Sequence, residues 1–177
     1  MCSSDLGTID LNAATGIGAA GAFQVTGTTI LADTTGGAID LDSLSTVGTG
    51  AVTLSSATTT GAAIQFDQTG GQTLTVTNAA TTTSGAITIT NADANLTATS
   101  VSAAGGGLVT LTTTDGDASA DENVLLGAVT TTGTATITAT GSIEESGTDG
   151  TADVTAGTID LNAATGIGAA GAFQVTG

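Results

Sequence analysis

The chain has 177 residues, and Thr (41), Ala (31) and Gly (27) make up most of it. It carries 16 acidic residues and no Lys, Arg or His, giving a formal charge of −16. Nucleic-acid binding needs a basic footprint and docking to anionic lipid needs one too, so neither is an expected role.

There is no Pro, Trp or Tyr, and the aromatics are Phe23, Phe66 and Phe173. A compact globule needs more large apolar side chains to fill its interior. Disorder is a poor alternative, because 40% of the residues are hydrophobic and disordered chains are not. A narrow core of Ile, Val, Leu and Ala suits a solenoid, in which each unit stacks on its neighbours. The apolar runs are too short for a membrane helix, and no membrane insertion is expected.

The first six residues, MCSSDL, back-translate to GTG TGC TCT TCC GAT CT plus one base. That string resembles the end of a short-read sequencing adapter. Residues 1–6 are therefore expected not to be native, and Cys2 with them. The remaining 7–177 reads as one solenoid segment. Gly7–Gly27 recurs letter for letter as Gly157–Gly177. The chain is thus expected to hold a 150-residue super-repeat, 7–156, and the start of the next copy, 157–177.

A looser unit, Gly-x-Ile-x-Leu, runs through the interval. Its inward pairs are Ile9/Leu11, Ile39/Leu41, Ile64/Phe66, Ile87/Ile89, Val109/Leu111 and Ile159/Leu161, and Gly133-Thr-Ala135-Thr-Ile137 is a further occurrence of the unit. The steps are 30, 25, 23, 22, 26 and 24 residues. Period-two alternation marks each unit as a strand, and Thr and Gly are poor helix formers. A second set of strands is predicted at Ala51–Ser55, Thr73–Thr77, Leu96–Ser100 and Ala152–Ala156. A third is predicted at Phe23–Thr26, Val124–Thr130 and Phe173–Thr176. Two or three strands per rung of about 25 residues is the layout of a parallel β-helix, an all-β β-solenoid with glycines at its corners. Ile17 and Ile167, each in Gly-Ile-Gly, are read as core plugs between flexible corners.

The string ADVTAGTIDLNAATGIGAAG, residues 152–171, resembles the repeats of filamentous-haemagglutinin-like adhesins. These are large repetitive bacterial exoproteins. In that family a Gly-x-Ile-x-Leu strand is followed by a turn and an Ile-Gly corner. The match is good over Ala152–Phe173 and Gly7–Phe23 and is pattern-level between them. Relatives often carry Asn-Pro after the corner, where this chain has Gly171-Ala172. The resemblance implies a right-handed parallel β-helix of about six to seven rungs. It also implies a non-catalytic shaft, secreted to the bacterial cell surface. Its partners would be neighbouring repeats of the same chain and a host or cell-surface receptor.

Three groups of residues bear on chemistry. Asp115, Asp117, Ser119 and Asp121 place oxygen ligands at alternate positions, as a weak Ca²⁺ loop would. The EF-hand pattern fails, with Ala120 and Leu126 at its sixth and twelfth positions. No other cofactor is expected. Glu144, Glu145, Asp149 and Asp153 form a second acidic patch, and paired carboxylates are what glycoside hydrolysis uses. Glu144 and Glu145 are adjacent, however, so on a strand they point to opposite faces. Without His, Lys or a native Cys, no nucleophile–base pair can be assembled. Finally, Thr75/Thr77, Thr88/Thr90, Thr97/Thr99, Thr110/Thr112 and Thr136/Thr138 fall at outward positions. Stacked Thr-x-Thr pairs resemble the face of ice-binding solenoids. The plainer reading is that Thr is favoured on half-exposed strands.

Overall fold

The computed structural model describes residues 7–46, 49–116, 121–147, 149–169 and 173–177. In these residues the backbone is strand and turn, with a short 3-10 segment at Ala104–Gly106. Among them no helix is long and apolar enough to cross a membrane. The strands pair in parallel in two sheets. The seven-stranded sheet runs Phe23–Val25, Ile39–Ser43, Ile64–Gln68, Ile87–Ala92, Val109–Thr114, Thr134–Ala139 and Thr158–Ala163. The chain crosses to the second sheet after each of these strands and returns for the next. The result is a parallel β-solenoid of about seven turns with about 23 residues per turn.

The reason lies in the alternation. Inward residues of successive turns meet in register and form continuous apolar columns. One column is Ile39, Ile64, Ile87, Val109, Ala135 and Ile159; a second is Leu41, Phe66, Ile89, Leu111, Ile137 and Leu161. Their members from 39 to 137 are almost wholly buried. A buried side chain of this size contributes about 1.5–3 kcal/mol, so the columns dominate the stability.

The second sheet folds along a line. In Val52–Thr59 two neighbours, Ser55 and Ser56, both face outward, and Thr99 and Ser100 do the same in Leu96–Ala103. A straight strand cannot do that. The alternation slips by one residue and the strand turns a corner. Each turn therefore has three sides. Val52, Leu74, Leu96, Val124, Ile143 and Ile167 line the second side. Ala57, Ala79, Val101, Val129, Val154 and Val175 line the third.

Two assignments differ from the sequence reading. Val124 stacks on Leu96, so the second and third predicted sets are not distinct. More consequentially, Ile9 and Leu11 are not in the column of Ile39 and Leu41. The strand Thr8–Ala13 lies in the second sheet, with Ile9 opposite Ile30 and Leu11 opposite Ala32. Phe23 takes the place opposite Leu41 instead. The cause is length. The 30 residues from Ile9 to Ile39 exceed one turn, whereas the 21 from Ile9 to Ile30 nearly match one.

The glycines that open the Gly-x-Ile units sit where one turn touches the turn before. A Cβ on Gly37 would lie 1.9 Å from the Thr15 carbonyl oxygen, and one on Gly107 would lie 2.1 Å from that of Gly85. Inward threonines close the same corner. Thr59 Oγ1 donates to the Gly37 oxygen at 2.9 Å and Thr81 Oγ1 to that of Gly85 at 3.2 Å.

Candidate functional site

At the opposite corner the inward series of four successive turns ends on a polar residue. Two positions beyond Leu41, Phe66, Ile89 and Leu111 stand Ser43, Gln68, Asn91 and Thr113, all buried and stacked in register. They hold the loops that leave the first sheet. Gln68 Nε2 donates to the Ser45 and Thr69 oxygens at 2.9 and 3.0 Å. Asn91 Nδ2 faces the oxygens of Gln72, Ala94 and Asn95 at 3.1, 2.9 and 2.9 Å. Thr113 Oγ1 donates to the Glu122 oxygen at 2.7 Å. These contacts make the column a structural spine, because loop carbonyls buried at a corner need donors.

The proposed Ca²⁺ loop leaves this corner. Asp115 follows the strand Val109–Thr114, and Asp121 precedes Val124–Thr131; both are exposed. Asp117 and Ser119 lie outside the described residues. Nearby, Asp93 adopts a left-handed conformation, φ 57°, and accepts a hydrogen bond from the Gly116 amide. Glu122 is buried, and Thr140 Oγ1 donates to its Oε2 at 2.7 Å. Among the described residues no three acidic side chains are placed to share one metal ion.

The second acidic patch divides between two environments. Glu144 and Glu145 are half-exposed in Ser142–Glu145. The Asp149 amide donates to Glu145 Oε1 at 3.0 Å. Asp149 Oδ1 in turn accepts from the Thr151 amide and hydroxyl, both at 2.7 Å, and these bonds hold its pKa below the usual value. Asp153 is buried and accepts from the Gln174 amide at 2.8 Å. Burial raises its pKa, the Gln174 hydrogen bond opposes that, and the charges of Glu145 and Asp149 add to the rise.

The outward side of the first sheet carries the threonines. Thr88, Thr110 and Thr136 lie opposite one another, as do Thr90, Thr112 and Thr138. The six threonines therefore form a grid on strands that lie about 4.7–4.9 Å apart. Gln65 and Asp67 border it on one side, Asp160 and Asn162 on the other. On the second sheet Thr53, Thr75 and Thr97 align and then meet Leu125.

One acidic relationship is not visible without the register. Asp42 lies opposite Asp67 on the adjoining strand, and Asp40 is two residues away. Burial first, then Asp67 and Asp40, raise the Asp42 pKa. The Gly-Ile-Gly plugs behave differently at the two ends: Ile17 is buried and Ile167 is exposed.

The fold and its register define a repeat protein of the parallel β-solenoid class. Comparison with protein-family models, with curated proteins and with solved structures finds no match to this chain.

Proposed function

We propose that this chain is a non-catalytic structural shaft segment of a secreted bacterial surface adhesin of the filamentous-haemagglutinin-like kind. The carrying observation is the set of inward columns that runs from turn to turn without interruption. Such a core transmits load along the solenoid and extends by adding turns. The acidic outer surface favours solubility. A host or cell-surface receptor and the neighbouring repeats of the same chain are the shaft's partners. Immunogold labelling of intact source cells tests the proposal. Label along projections from unpermeabilised cells is the expected result. Label found only inside the cell overturns it.

The threonine grid favours a second reading, a solenoid that binds an ordered surface such as ice. Its hydroxyls are in register over three strands, and a rigid sheet holds their spacing. Three strands make a small plane, and the acidic borders interrupt it. A gap between freezing and melting points in a solution of the chain would support ice binding. Coincident points would remove it.

A further inference from the structure

Two side-chain oxygens of the buried polar spine, Gln68 Oε1 and Asn91 Oδ1, have no hydrogen-bond partner among the described residues. Both residues are 0% exposed. They stand opposite one another on adjoining strands of the first sheet. A buried acceptor without a donor keeps the full cost of leaving water, so each such atom in a folded core calls for a partner.

Neither oxygen can be served by turning its own amide. Gln68 Nε2 lies 2.9 and 3.0 Å from the Ser45 and Thr69 oxygens. Asn91 Nδ2 lies 3.1, 2.9 and 2.9 Å from the oxygens of Gln72, Ala94 and Asn95. Exchanging oxygen and nitrogen in either amide would set an oxygen against carbonyl oxygens. The neighbours in the column cannot serve them either. Ser43 Oγ donates to Ser45 Oγ at 3.3 Å, which donates to the Gly27 oxygen at 3.1 Å. Thr113 Oγ1 donates to the Glu122 oxygen at 2.7 Å. The four spine residues have thus given every side-chain hydrogen to other acceptors.

The corner therefore needs a small group that donates two hydrogen bonds. The two oxygens carry no formal charge, so they do little to offset the cost of stripping water from a cation. A water molecule meets the requirement without that cost. Strands of a sheet lie about 4.7–4.9 Å apart, and two hydrogen bonds of about 2.8 Å through one water span such a separation. Asn91 is shorter than Gln68 by one methylene, a volume close to the roughly 30 Å³ of a water. Solvent also stands near: Ala94 and Asn95, whose oxygens face Asn91, line a cavity of about 200 Å³.

We propose that this corner is a binding site for one buried water, which donates to Gln68 Oε1 and to Asn91 Oδ1. The water links the side chains of two successive turns where the loops 69–73 and 92–95 leave the first sheet. It completes the spine, whose amide nitrogens hold the loops while their oxygens hold the water. The proposal stands independently of the adhesin and ice-binding readings.

A high-resolution crystal structure of the unmodified chain tests it, from native crystals and from crystals soaked in rubidium. One peak within about 3.2 Å of both oxygens, with no rubidium signal, is the expected result. Density that shows no peak between the oxygens overturns the proposal. A rubidium signal there overturns it in favour of a monovalent cation. Oxygen-17 relaxation dispersion of the solvent counts long-lived internal waters in solution. Gln68→Met keeps the length of the side chain and removes its oxygen. The count should fall by one from the unmodified chain to Gln68→Met, and equal counts overturn the bridge. The crystallographic measurement needs no variant, so it decides the question even where Gln68→Met does not fold.

Discussion

Ile9 and Ile159 occupy the same position in identical 21-residue sequences, yet they lie in different sheets of the solenoid. Local sequence accordingly specifies that a residue faces inward, but not which side of the turn it lines. The side is set by the number of residues to the next inward strand.

The inward columns carry the first expectation. Ile87 is fully buried between Ile64 and Val109. Ile87→Asp places a carboxylate with no cation within the whole chain to pair it, and such a group costs more than about 4 kcal/mol. Ile87→Val removes one methylene and should cost about 0.5–1.5 kcal/mol. Thermal unfolding followed by circular dichroism checks both. Equal melting of Ile87→Asp and the unmodified chain would contradict the register itself.

The second concerns glycine at the corner. Gly107 has an ordinary φ of −58°, so its requirement is space and not conformation. An added Cβ lies 2.1 Å from the Gly85 carbonyl oxygen. Gly107→Ala must push two turns apart and should cost about 1–3 kcal/mol. Gly36 has no heavy atom within 4 Å of its notional Cβ. Gly36→Ala should stay within about 0.5 kcal/mol of the unmodified chain. Chemical denaturation of the pair measures the difference.

Much of this architecture is legible from alternation. Ile39, Ile64, Ile87, Val109, Ala135 and Ile159 align as the Gly-x-Ile spacing predicts, because large side chains separated by one small polar residue have a single way to face a narrow core. The buried polar spine escapes such a reading, although its signal is present. Ser43, Gln68, Asn91 and Thr113 continue the inward phase two positions on, but such residues also favour turns. The corner within Val52–Thr59 is hidden for a similar reason: Ser55-Ser56 reads as a strand end and is a bend within one. The phase of Gly7–Gly27 is not legible locally, since both sheets demand the same alternation. Of the proposed Ca²⁺ ligands, spacing shows only alternate oxygens, and the structure sets Asp115 and Asp121 at the two margins of the loop.

The third expectation tests that spine. Asn91 Nδ2 serves three loop carbonyls, and its side chain is fully buried. Asn91→Ala takes that donor from the Gln72 and Ala94 oxygens, while the Asn95 oxygen keeps the Leu74 amide, and it should cost about 1–3 kcal/mol in urea unfolding. Asn91→Asp should cost at least as much, because it turns acceptors toward acceptors. A neutral Asn91→Ala would mean that the loop between Ala92 and Leu96 is held by other interactions.

The fourth expectation is a pH dependence with a definite sign. Asp42 and Asp153 both have pKa values raised above the ordinary 3.8, in each case chiefly by burial. An acid with a raised folded-state pKa binds its proton more tightly when folded. Its effect on stability is therefore unfavourable once ionised: stability falls as pH rises from the unfolded pKa through the folded one, and the loss is complete above it. Asp149, lowered by Thr151, acts in the opposite sense, but it is exposed and its interactions are screened by solvent. The net charge of −16 adds self-repulsion that mild acid also relieves. The melting temperature should thus be higher near about pH 4.5 than near about pH 7. Asp42→Asn removes the carboxylate opposite Asp67 and should raise stability at neutral pH by about 0.5 kcal/mol or less, since both groups are partly solvated. It should also flatten the pH profile, and added salt should shrink the difference between the two chains. A melting temperature that falls steadily on acidification from neutral pH would show that carboxylates stabilised by hydrogen bonds, Asp149 among them, outweigh the crowded pair Asp42 and Asp67.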